Sequence, residues 1–485
     1  MSIREGLLKL VGSEKFTDAP EVLKEYSTDF SLATPGMPNY VVKPQKTEDV
    51  QKVIRFANEH SIPVVPISSR AHFYGATIPK QGGIVLDLTR MNKIFEIDEL
   101  NRRVRIEAGV TWEQLTSELG KKGFRMIMPL LPHPLRSVVT DYLEREVPTN
   151  TVYDYGEPLQ GMEVVWPTGE IFRTGSASVT GYPDSPSKGA NPSGPGLDFY
   201  RFLQGAQGTM GVVTWANLKI EYLPHRDRIL LAPVPNLDYT IEFLYRVLRL
   251  RIGQECLLLN NTNLAAIMAE DWPQDFVKLR ASLPAWTLIL VISGMARRPQ
   301  EKLQYEEETL DKVINNEFPK FSLANGLPGF PGLGKKLLPM LRKPWPREVT
   351  YWKNRYKGAC QSLFFITKPT RASKFISKVE EIVARLGYPI GDIGGYLQPI
   401  EHNRACHLEF EFFYDPTSQS EVERVRSLYR EAAQVLLNEG ALFTRPYGEL
   451  AKLVYQRAAG YATALRRVKR VFDPQDVMNP GNLCF

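Results

Sequence analysis

The chain has 485 residues, which is too long for one hydrophobic core of ordinary size and predicts two domains. Its hydrophobic fraction of 43% and charged fraction of 24% are typical of a globular protein and exclude a disordered or fibrous one. The net charge of +6 is mild for this length and does not indicate a nucleic-acid-binding protein.

The cysteines and the apolar runs argue against several further classes of protein. Cys256, Cys360, Cys406 and Cys484 are widely spaced and form no C-x-x-C pair, which argues against a zinc ribbon, an iron–sulfur cluster or a disulfide framework. The first residues predict an amphipathic helix rather than a signal peptide. The most apolar run, WTLILVISGMA, is about half the length needed to span a bilayer. We therefore expect a cytoplasmic protein without a transmembrane segment.

The region from residue 40 to residue 112 alternates between strand and helix patterns, as in a compact α+β unit. YVVKP, PVVPI and GGIVLDL are predicted strands. TEDVQKVIRFANEHS is a predicted helix with Thr47 as its N-cap, and TWEQLTSELGKKG is a second one opened by Thr111. Between these parts, NKIFEIDELNRRVRIEAGV predicts a hairpin that turns at Asn101.

The segment VVPISSRAHFYGATIPKQGGIVLDL, residues 64–88, is a loop between two predicted strands. Such loops often wrap a phosphate, because successive backbone N–H groups form an anion-binding concavity and glycine allows the positive φ angles that this needs. Here Gly75 stands among larger residues, so the sequence raises the question of how a phosphate would be held.

Further along, GMEVVWPTGEIFRTG predicts a hairpin around Pro167, and a Gly/Ser/Pro-rich loop follows it. LDFYRFLQGAQGTMGVVTWANLKIEYLP predicts a short helix, a glycine turn and a strand that ends at Pro224. Beyond this point longer amphipathic helices, such as SEVERVRSLYREAAQVLLNEG, alternate with strands such as HLEFEFFYDP. A domain boundary near residue 224 is therefore expected.

The order of these motifs resembles the FAD-linked oxidases of the vanillyl-alcohol oxidase and p-cresol methylhydroxylase type, which include glycolate- and D-lactate-oxidising flavin subunits. The resemblance rests on VVKPQKTEDVQKVIRFANEHSIPVVPIS, GGIVLDLTRMNKI, RIEAGVTWEQL, GAQGTMGVVTWANLKIEYLP and the tail VKRVFDPQDVMNPGNLCF. The elements S-V-V-x-x-x-L-E-R and G-M-E-V-V are similar to the vanillyl-alcohol oxidase branch.

The resemblance implies an α+β fold in two domains. Residues 1–223 would form the FAD-binding domain of the p-cresol methylhydroxylase type, built from two α/β subdomains. Residues 224–440 would form an inserted α+β cap over an antiparallel sheet, where the substrate binds. Residues 441–485 would return to the FAD domain.

The resemblance also implies where FAD would bind. The pyrophosphate would lie against the loop and the segment around Ser137, and GTMGVV would follow the adenosine half. The implied FAD-binding residues are Ser68, Ser69, Arg70, Ala71, His72, Phe73, Tyr74, Gly75, Ala76 and Pro79, then Ser137, Thr140, Asp141 and Glu144, then Gly208, Gly211, Val212 and Val213, and finally Asn479.

The chain departs from the family pattern in the loop. Ser69, Ala71, Phe73 and Ala76 stand where the family has glycines, and the segment around Ser137 also lacks them. Either Arg70 replaces the lost backbone contacts by pairing with phosphate, or the pocket no longer holds FAD tightly.

The histidines of the chain raise the possibility of a covalent flavin. His72 resembles the histidine that tethers the flavin in some branches, and otherwise it is an ordinary loop residue. His407, on a predicted strand, matches the tether position of vanillyl-alcohol oxidase, and otherwise it is a hydrogen-bonded residue of the cap interior.

The resemblance implies further catalytic residues. Arg445 matches an arginine that stabilises negative charge near the flavin. The tyrosines and aspartate of phenol-oxidising members are replaced by Thr149, Thr444 and Pro132 or His133, although Tyr153 or Tyr155 lies close enough to substitute. The catalytic candidates are therefore Arg445, His407, which would face the flavin ring, and Tyr155. RPYGE replaces the Glu-His-Gly segment of metal-binding relatives, so no metal site is expected.

Together these features predict an FAD-dependent oxidoreductase that transfers hydride from a small alcohol, hydroxy acid, benzylic or phenolic substrate to flavin N5. The alternative is a non-catalytic, flavin-free scaffold subunit that works beside an active paralogue or a redox partner. We expect a homo-oligomer, or a hetero-oligomer with an electron-transfer or paralogous subunit, and no nucleic-acid partner.

Overall fold

The structure is a computed structural model that describes residues 2–151, 158–179 and 191–485. Its strands are β1 (Phe16–Thr17), β2 (Tyr40–Val42), β3 (Val64–Ile67), β4 (Ile84–Asp87), β5 (Ile94–Asp98), β6 (Arg103–Glu107), β7 (Phe124–Arg125), β8 (Leu159–Val165), β9 (Ile171–Arg173), β10 (Val212–Lys219), β11 (Glu221–Tyr222), β12 (Arg226–Pro233), β13 (Glu255–Asn260), β14 (Trp286–Gly294), β15 (Ala359–Thr367), β16 (Ile393–Ile400) and β17 (Ala405–Tyr414). Its α-helices are α1 (Ile3–Val11), α2 (Pro20–Glu25), α3 (Thr47–Glu59), α4 (Trp112–Gly120), α5 (Val138–Leu143), α6 (Leu237–Leu248), α7 (Asn261–Met268), α8 (Gln274–Ser282), α9 (Pro299–Glu317), α10 (Leu333–Met340), α11 (Trp352–Arg355), α12 (Ala372–Arg385), α13 (Gln419–Asn438), α14 (Gly448–Arg457) and α15 (Ala459–Phe472).

The first sheet is small and mixed, with strand order β1-β2-β4-β3. Strands β2 and β3 both run parallel to β4, as expected for strands joined through a helix. Helix α3 buries Val50, Val53 and Ile54 and belongs to the same apolar core as β2 and β4. The predicted N-cap of this helix is wrong by one residue: Lys46 occupies the cap, and the Thr47 hydroxyl instead donates to Glu163 Oε1 at 2.9 Å.

The second sheet is antiparallel, in the order β5-β6-β10-β8-β9, and confirms both predicted hairpins. Helix α4 begins as predicted, because the Thr111 side chain accepts a hydrogen bond from the Gln114 N–H. The tail of the chain returns to the first sheet, where Met478 forms a parallel bridge with Val64 at the edge of β3. Residues far apart in sequence therefore meet at this edge.

The third sheet, from β12 to β17, is antiparallel in the order β12-β14-β13-β16-β17-β15. Side chains alternate between its two faces. One face packs against α6, α9, α12 and α13, and the opposite face packs against α7, α8 and α10. The mixed helix-and-sheet class predicted from the sequence, with an antiparallel sheet after residue 224, is confirmed.

A buried ionic cluster joins β7 to the third sheet. Arg125 Nη1 lies 2.6 Å from Glu255 Oε1, and Arg342 Nη2 lies 3.1 Å from Glu255 Oε2 while its Nη1 pairs with Asp227. These side chains are mostly shielded from solvent, so the pairs are screened little by salt. Over the part of the chain that the structure describes, no helix is both long enough and apolar enough to cross a bilayer.

Candidate functional site

A cavity of about 720 Å³ lies between the loop that follows β3, helix α5 and the turn before β10; we call it the loop cavity. Its walls are mainly apolar. They include Pro66, Ile67, Ser68, His72, Ala76, Thr77, Val139, Thr140, Leu143, Glu144, Leu203, Ala206, Gln207, Gly208, Gly211, Val212 and Val213.

The loop is fixed around this cavity by hydrogen bonds from distant parts of the chain. Gly75, at φ +76°, donates its N–H to Asp29 Oδ2 at 2.7 Å. The Asn479 amide donates to the carbonyl oxygens of Ala76 and Gln207, at 2.8 and 2.7 Å. The tail thus ties the loop to the turn before β10, and both walls of the cavity are held in place.

A second cavity of about 750 Å³ lies between the loop, the segment before α5 and one face of the third sheet. We call it the aromatic cavity, because Phe30, Phe73, Tyr74, Tyr351, Trp352 and Tyr396 all contribute to its wall. The rings of Phe30 and Phe73 stack at 5.2 Å, and Tyr351 lies 5.4 Å from Phe73. Ionisable side chains line the rest: His133, Arg136, Asp141, Glu146, Lys353, Cys360, His407 and Glu409.

One layer of side chains separates the two cavities; we call it the partition. The buried Arg136 guanidinium forms its centre, donating from Nη1 to the Ala71 carbonyl oxygen at 3.0 Å and pairing with Asp141 and Glu144. Beside it, the hydroxyl groups of Ser68 and Thr140 are in direct hydrogen-bond contact. Loop and α5 are therefore joined directly to each other between the cavities.

The carboxylates of the partition have different proton affinities. Burial raises the pKa of Glu144 to about 7, although Arg136 acts in the opposite direction. Burial also acts to raise the pKa of Glu146, but Arg445 and Arg136 outweigh it and hold that pKa below its usual range. Glu146 is thus the ionised partner at neutral pH, whereas Glu144 is divided between its two forms.

Oxygens of Asp141, Glu144 and Glu146 lie within 4.8 Å of one another, a spacing that a metal ion could use. The Arg136 guanidinium is already bound among them, through Asp141 and Glu144, with Glu146 Oε1 at 3.8 Å. A cation supplied by the chain therefore balances these charges. The absence of a metal remains a prediction.

A charged cluster stands on the opposite side of the aromatic cavity. Lys353 Nζ lies 2.5 Å from Glu409 Oε1 and 3.6 Å from Glu411 Oε1. His407 Nε2 lies 2.9 Å from the second oxygen of Glu409. The three residues of β17 point to one face of the strand, since they are two positions apart.

The protonation states in this cluster follow from burial and from Lys353. Burial lowers the pKa of His407 despite the opposing effect of Glu409, so the imidazole is neutral at pH 7. Lys353 and His407 overcome the effect of burial on Glu409 and hold its pKa far below the usual range. Burial and the neighbouring Glu409 raise the pKa of Glu411 to about 7. Because Glu409 is ionised, His407 donates from Nε2, and its unprotonated nitrogen is Nδ1.

Arg445 lies behind the wall of the aromatic cavity. Its guanidinium carbon is 4.1 Å above the Phe364 ring centre, and its Nη1 is 2.7 Å from Glu146 Oε1. Glu146 also accepts from the Tyr74 hydroxyl at 2.7 Å. Arg445 thus acts on the cavity through Glu146 and Tyr74.

Comparisons with known proteins match both ends of the chain. Residues 38–175 match the family model "FAD binding domain", and residues 366–483 match "FAD linked oxidases, C-terminal domain". Together the two models cover more than half of the chain. The chain belongs to the FAD-linked oxidase family.

Individual relatives of this FAD-linked oxidase are distant but nearly full length. Glycolate oxidase subunit GlcD of Bacillus subtilis is 23% identical, over 99% of this chain and 96% of its own. Mitochondrial D-lactate dehydrogenase [cytochrome] of Arabidopsis thaliana is 21% identical, over 92% of this chain and 74% of its own. The 4-ethylphenol oxidase of Gulosibacter chungangensis has the same fold, with a TM-score of 0.83 at 20% identity over 99% of this chain and 96% of its own. So does p-cresol methylhydroxylase, with a TM-score of 0.83 at 19% identity over 100% and 96%.

This chain is therefore an FAD-linked oxidoreductase, and FAD is its cofactor. The described residues fit that group. Beside and within the loop cavity, Ser69 Oγ and Gln207 Oε1 are buried and have no hydrogen-bond partner among the described residues, so both could bind a polar group of the cofactor. The two cavities also offer separate spaces for the two ends of a dinucleotide.

The oxidase brings most of the predicted cofactor residues together. Ser68, His72, Ala76, Thr140, Glu144, Gly208, Gly211, Val212 and Val213 line the loop cavity, whereas Phe73, Tyr74, Asp141 and His407 line the aromatic cavity. Ser69, Ala71, Ser137 and Asn479 support these walls from behind, with the Ser137 hydroxyl donating to the Ala108 carbonyl oxygen at 2.6 Å.

Three predicted positions lie elsewhere. Arg70 extends to the surface because its partners are there: its guanidinium stacks 4.0 Å above the Tyr26 ring and pairs with Glu25 at 3.3 Å. Gly75 and Pro79 line neither cavity. Tyr155, like Tyr153, falls outside the described residues.

Sequence reasoning missed Arg136, Glu146, Lys353, Glu409 and Glu411. A signal was present for the last two: two acids, two positions apart, interrupt the apolar strand HLEFEFFY on the same face as His407. Charged residues in a buried strand require partners, so they mark a polar site. No comparable pattern marks Arg136 or Lys353.

Proposed function

We propose that this oxidase oxidises a neutral aromatic alcohol at its benzylic carbon to the corresponding aldehyde. The observation that supports this best is the pair of His407 and Glu409 facing a cavity walled by aromatic rings. In the reaction the alcohol loses its O–H proton to His407 Nδ1 and a hydride from carbon. Bound FAD supplies the acceptor for that hydride at flavin N5.

His407 has the properties of a general base. Its imidazole is neutral at pH 7, and its Nε2–H is held by Glu409, which leaves Nδ1 free to accept a proton. The carboxylate of Glu409 then lies 2.9 Å from the imidazolium that forms and stabilises it. Lys353 keeps Glu409 ionised for this purpose.

The charges around the aromatic cavity favour a substrate without a net charge. Arg136 is paired with Asp141 and Glu144, and Lys353 with Glu409 and Glu411. Of the described residues that line this cavity, no lysine or arginine is left without a carboxylate partner. A substrate carboxylate would have to displace one of these partners at a cost of several kcal/mol, because a buried charge would lose its counter-charge.

We further propose that FAD lies with its adenosine in the loop cavity and its ring system in the aromatic cavity. The aromatic walls of that cavity suit a planar ring system. With the ring on that side, His72 is directed to the other cavity, where its Nε2 donates to the Ser69 carbonyl oxygen at 2.8 Å. His407 is engaged as the base. The cofactor is then bound without a covalent tether.

A small hydroxy acid is the second candidate substrate. It is favoured by relatives named as glycolate oxidase subunit and D-lactate dehydrogenase. An outer groove that shares Tyr74 and Ser362 with the aromatic cavity carries Lys80, Arg426 and Lys452, which would attract an anion. Nothing in the comparisons supports a flavin-free scaffold.

The purified holoprotein tests these proposals directly. Its visible absorbance should show flavin, and after acid precipitation the colour should be in the supernatant. Anaerobic mixing with benzylic alcohols should bleach the flavin faster than mixing with glycolate or D-lactate. The reverse order would replace the first candidate by the second, and a protein that cannot bind FAD would overturn both.

A pair of variants tests the base. His407→Gln should slow flavin bleaching by about 10²–10⁴-fold, the usual contribution of a general base. His402→Gln is the matched control, since this histidine lies in the turn between β16 and β17 and lines neither cavity. Equal rates for the two variants would remove His407 from the mechanism.

A further inference from the structure

The partition stands where a dinucleotide would have to cross between the cavities. His72 lines one cavity and its neighbours Phe73 and Tyr74 line the other. Likewise Glu144 lines the loop cavity, whereas Asp141 lines the aromatic cavity. If FAD occupies both cavities, as proposed above, its diphosphate lies at this layer. The inference below rests on that placement.

Arg136 is the arginine that the partition offers to a diphosphate. The residue is buried, and its N–H groups already bind the Ala71 carbonyl, Asp141 and Glu144. A guanidinium N–H group binds phosphate oxygens as it binds carboxylate oxygens, so the Nη2 that now holds one oxygen of Glu144 could instead hold a phosphate oxygen. Each phosphate must, however, replace a carboxylate of like charge.

Glu144 is the carboxylate that can release this N–H group. It lines the loop cavity and contacts Arg136 through one oxygen. Asp141, by contrast, also accepts from the Trp112 indole N–H at 2.6 Å and is held from two sides. When Glu144 gains a proton, its attraction to Arg136 is lost, and its new O–H becomes a donor.

We propose that Arg136 binds the diphosphate of FAD in this oxidase, and that Glu144 gives up the guanidinium by taking a proton from solvent as FAD binds. One N–H of Arg136 then passes from the Glu144 carboxylate to a phosphate oxygen, and the protonated carboxyl can donate to the same group. With this proton, the partition becomes less negative than it would be if the diphosphate approached three ionised carboxylates. A side chain thereby binds the diphosphate that glycine-rich loops bind through backbone N–H groups.

The groups that face Glu144 do not interfere with this exchange near neutral pH. Arg136, Arg445, Glu146 and Asp141 surround it, with Tyr447 close by and His72 across the cavity. Burial and Arg136 lower the pKa of His72 to about 3, so it is neutral. Burial raises the pKa of Tyr447 well above its usual value, and the arginines stay charged. Glu144, with its pKa raised to about 7, is thus the group expected to titrate.

The direction of the pH dependence follows from linkage. FAD binds the protonated form of Glu144, so binding raises its pKa above the value in the free protein. Affinity is then greatest below about pH 7 and falls as pH rises through that value, by about tenfold per pH unit while one proton is taken up. Riboflavin has no diphosphate and should show no such dependence.

The experiment is a titration of the full-length apoprotein with FAD between pH 6 and pH 9, followed by flavin fluorescence and by calorimetry in two buffers of different ionisation enthalpy. We expect the Kd to be constant near pH 6 and to rise by about tenfold between pH 7.5 and pH 8.5, with uptake of nearly one proton at pH 8. Binding without proton uptake would overturn this inference and leave the proposed function intact. No FAD binding at any pH would overturn both.

Variants assign the effect to residues. Glu144→Gln, which keeps the shape of the side chain, should abolish proton uptake and bind FAD at pH 8.5 at least tenfold more tightly than the parent protein. Glu306→Gln is the matched control, because burial also raises the pKa of Glu306 but this residue lies on α9, far from either cavity. If Glu306→Gln also changes the slope of the FAD Kd against pH, the pH dependence comes from buried carboxylates in general, and its assignment to Glu144 is refuted.

A second comparison concerns the arginines. Arg136→Lys retains the charge but cannot supply the separate donors that hold Ala71, Asp141 and Glu144, and we expect it to weaken FAD binding by at least tenfold with little effect on riboflavin. Arg70→Met tests the arginine that the sequence favoured, and its FAD Kd should stay within twofold of the parent value. If Arg70→Met weakens binding and Arg136→Lys does not, the roles proposed here are reversed.

Discussion

Glu409 connects the stability of this oxidase with its chemistry, and Glu409→Gln should affect both. At an effective dielectric constant of about 20, Lys353 is attracted by roughly 7 kcal/mol to Glu409 at 2.5 Å and by roughly 5 kcal/mol to Glu411 at 3.6 Å. Breaking a buried pair usually costs about 3–5 kcal/mol. Loss of the Glu409 charge also lowers the pKa of Glu411, now about 7, so Glu411 becomes fully ionised and partly replaces it. We therefore expect Glu409→Gln to lower the free energy of unfolding by about 3 kcal/mol, near the lower end of that range.

The same substitution removes the negative partner of the His407 imidazolium, so flavin bleaching by substrate should slow by about 10²–10⁴-fold. Thermal unfolding and rapid mixing measure the two effects on one preparation. The double variant Lys353→Met/Glu409→Gln carries no unpaired lysine and should recover most of the lost stability, while its bleaching rate stays low. If the double variant recovers the rate as well, or if Glu409→Gln is as stable and as fast as the parent, the argument for this cluster is wrong.

Three further predictions use other parts of the molecule. The kcat/KM should fall on acidification with a midpoint below pH 6.5, because the lowered pKa of His407 keeps the base form down to that range; a midpoint above 6.5 would contradict its burial. Asn479→Ala removes two buried hydrogen bonds and should lower stability by about 1–3 kcal/mol and weaken FAD binding, both measurable on one sample by unfolding with and without FAD. Arg342→Leu should lower the free energy of unfolding by about 3–5 kcal/mol, measured with denaturant, because Asp227 would lose its buried partner. Lys336→Leu, at an exposed pair, should lower it by about 0–1 kcal/mol. Equal losses would mean that burial does not decide the difference.

The backbone of the oxidase could be predicted well because its signals are local. The hairpin that turns near Asn101 and the cap at Thr111 each depend on residues within a few positions of each other. Thr47 shows the limit of such signals. A threonine at the start of a helix normally caps it, but a glutamate from β8 competes for its hydroxyl, and the cap moves to Lys46.

The site was predictable only in part, because its key contacts join residues distant in sequence. The loop and the glycine turn, which are visible in the sequence, indicated many of the residues that line the loop cavity. Arg136 has acidic partners nearby in sequence, Asp141 and Glu144, but its contact with the Ala71 carbonyl joins two segments of the chain. Arg70 stands in the loop itself and yet extends to the surface. Lys353 likewise belongs to the site only through its contact with Glu409, which lies on β17, the strand that pairs with β15.

The bridge between Val64 and Met478, with the amide of Asn479 beside it, has a consequence for biosynthesis. A ribosome that has translated only the first four hundred codons has already released the loop and the glycine turn, but not the segment that ties them together. Because Asn479 holds both the loop and the turn before β10, a chain that still lacks this segment should bind FAD more weakly than the complete chain. We therefore expect a nascent chain stalled before residue 479 to retain less flavin than the released protein at the same FAD concentration.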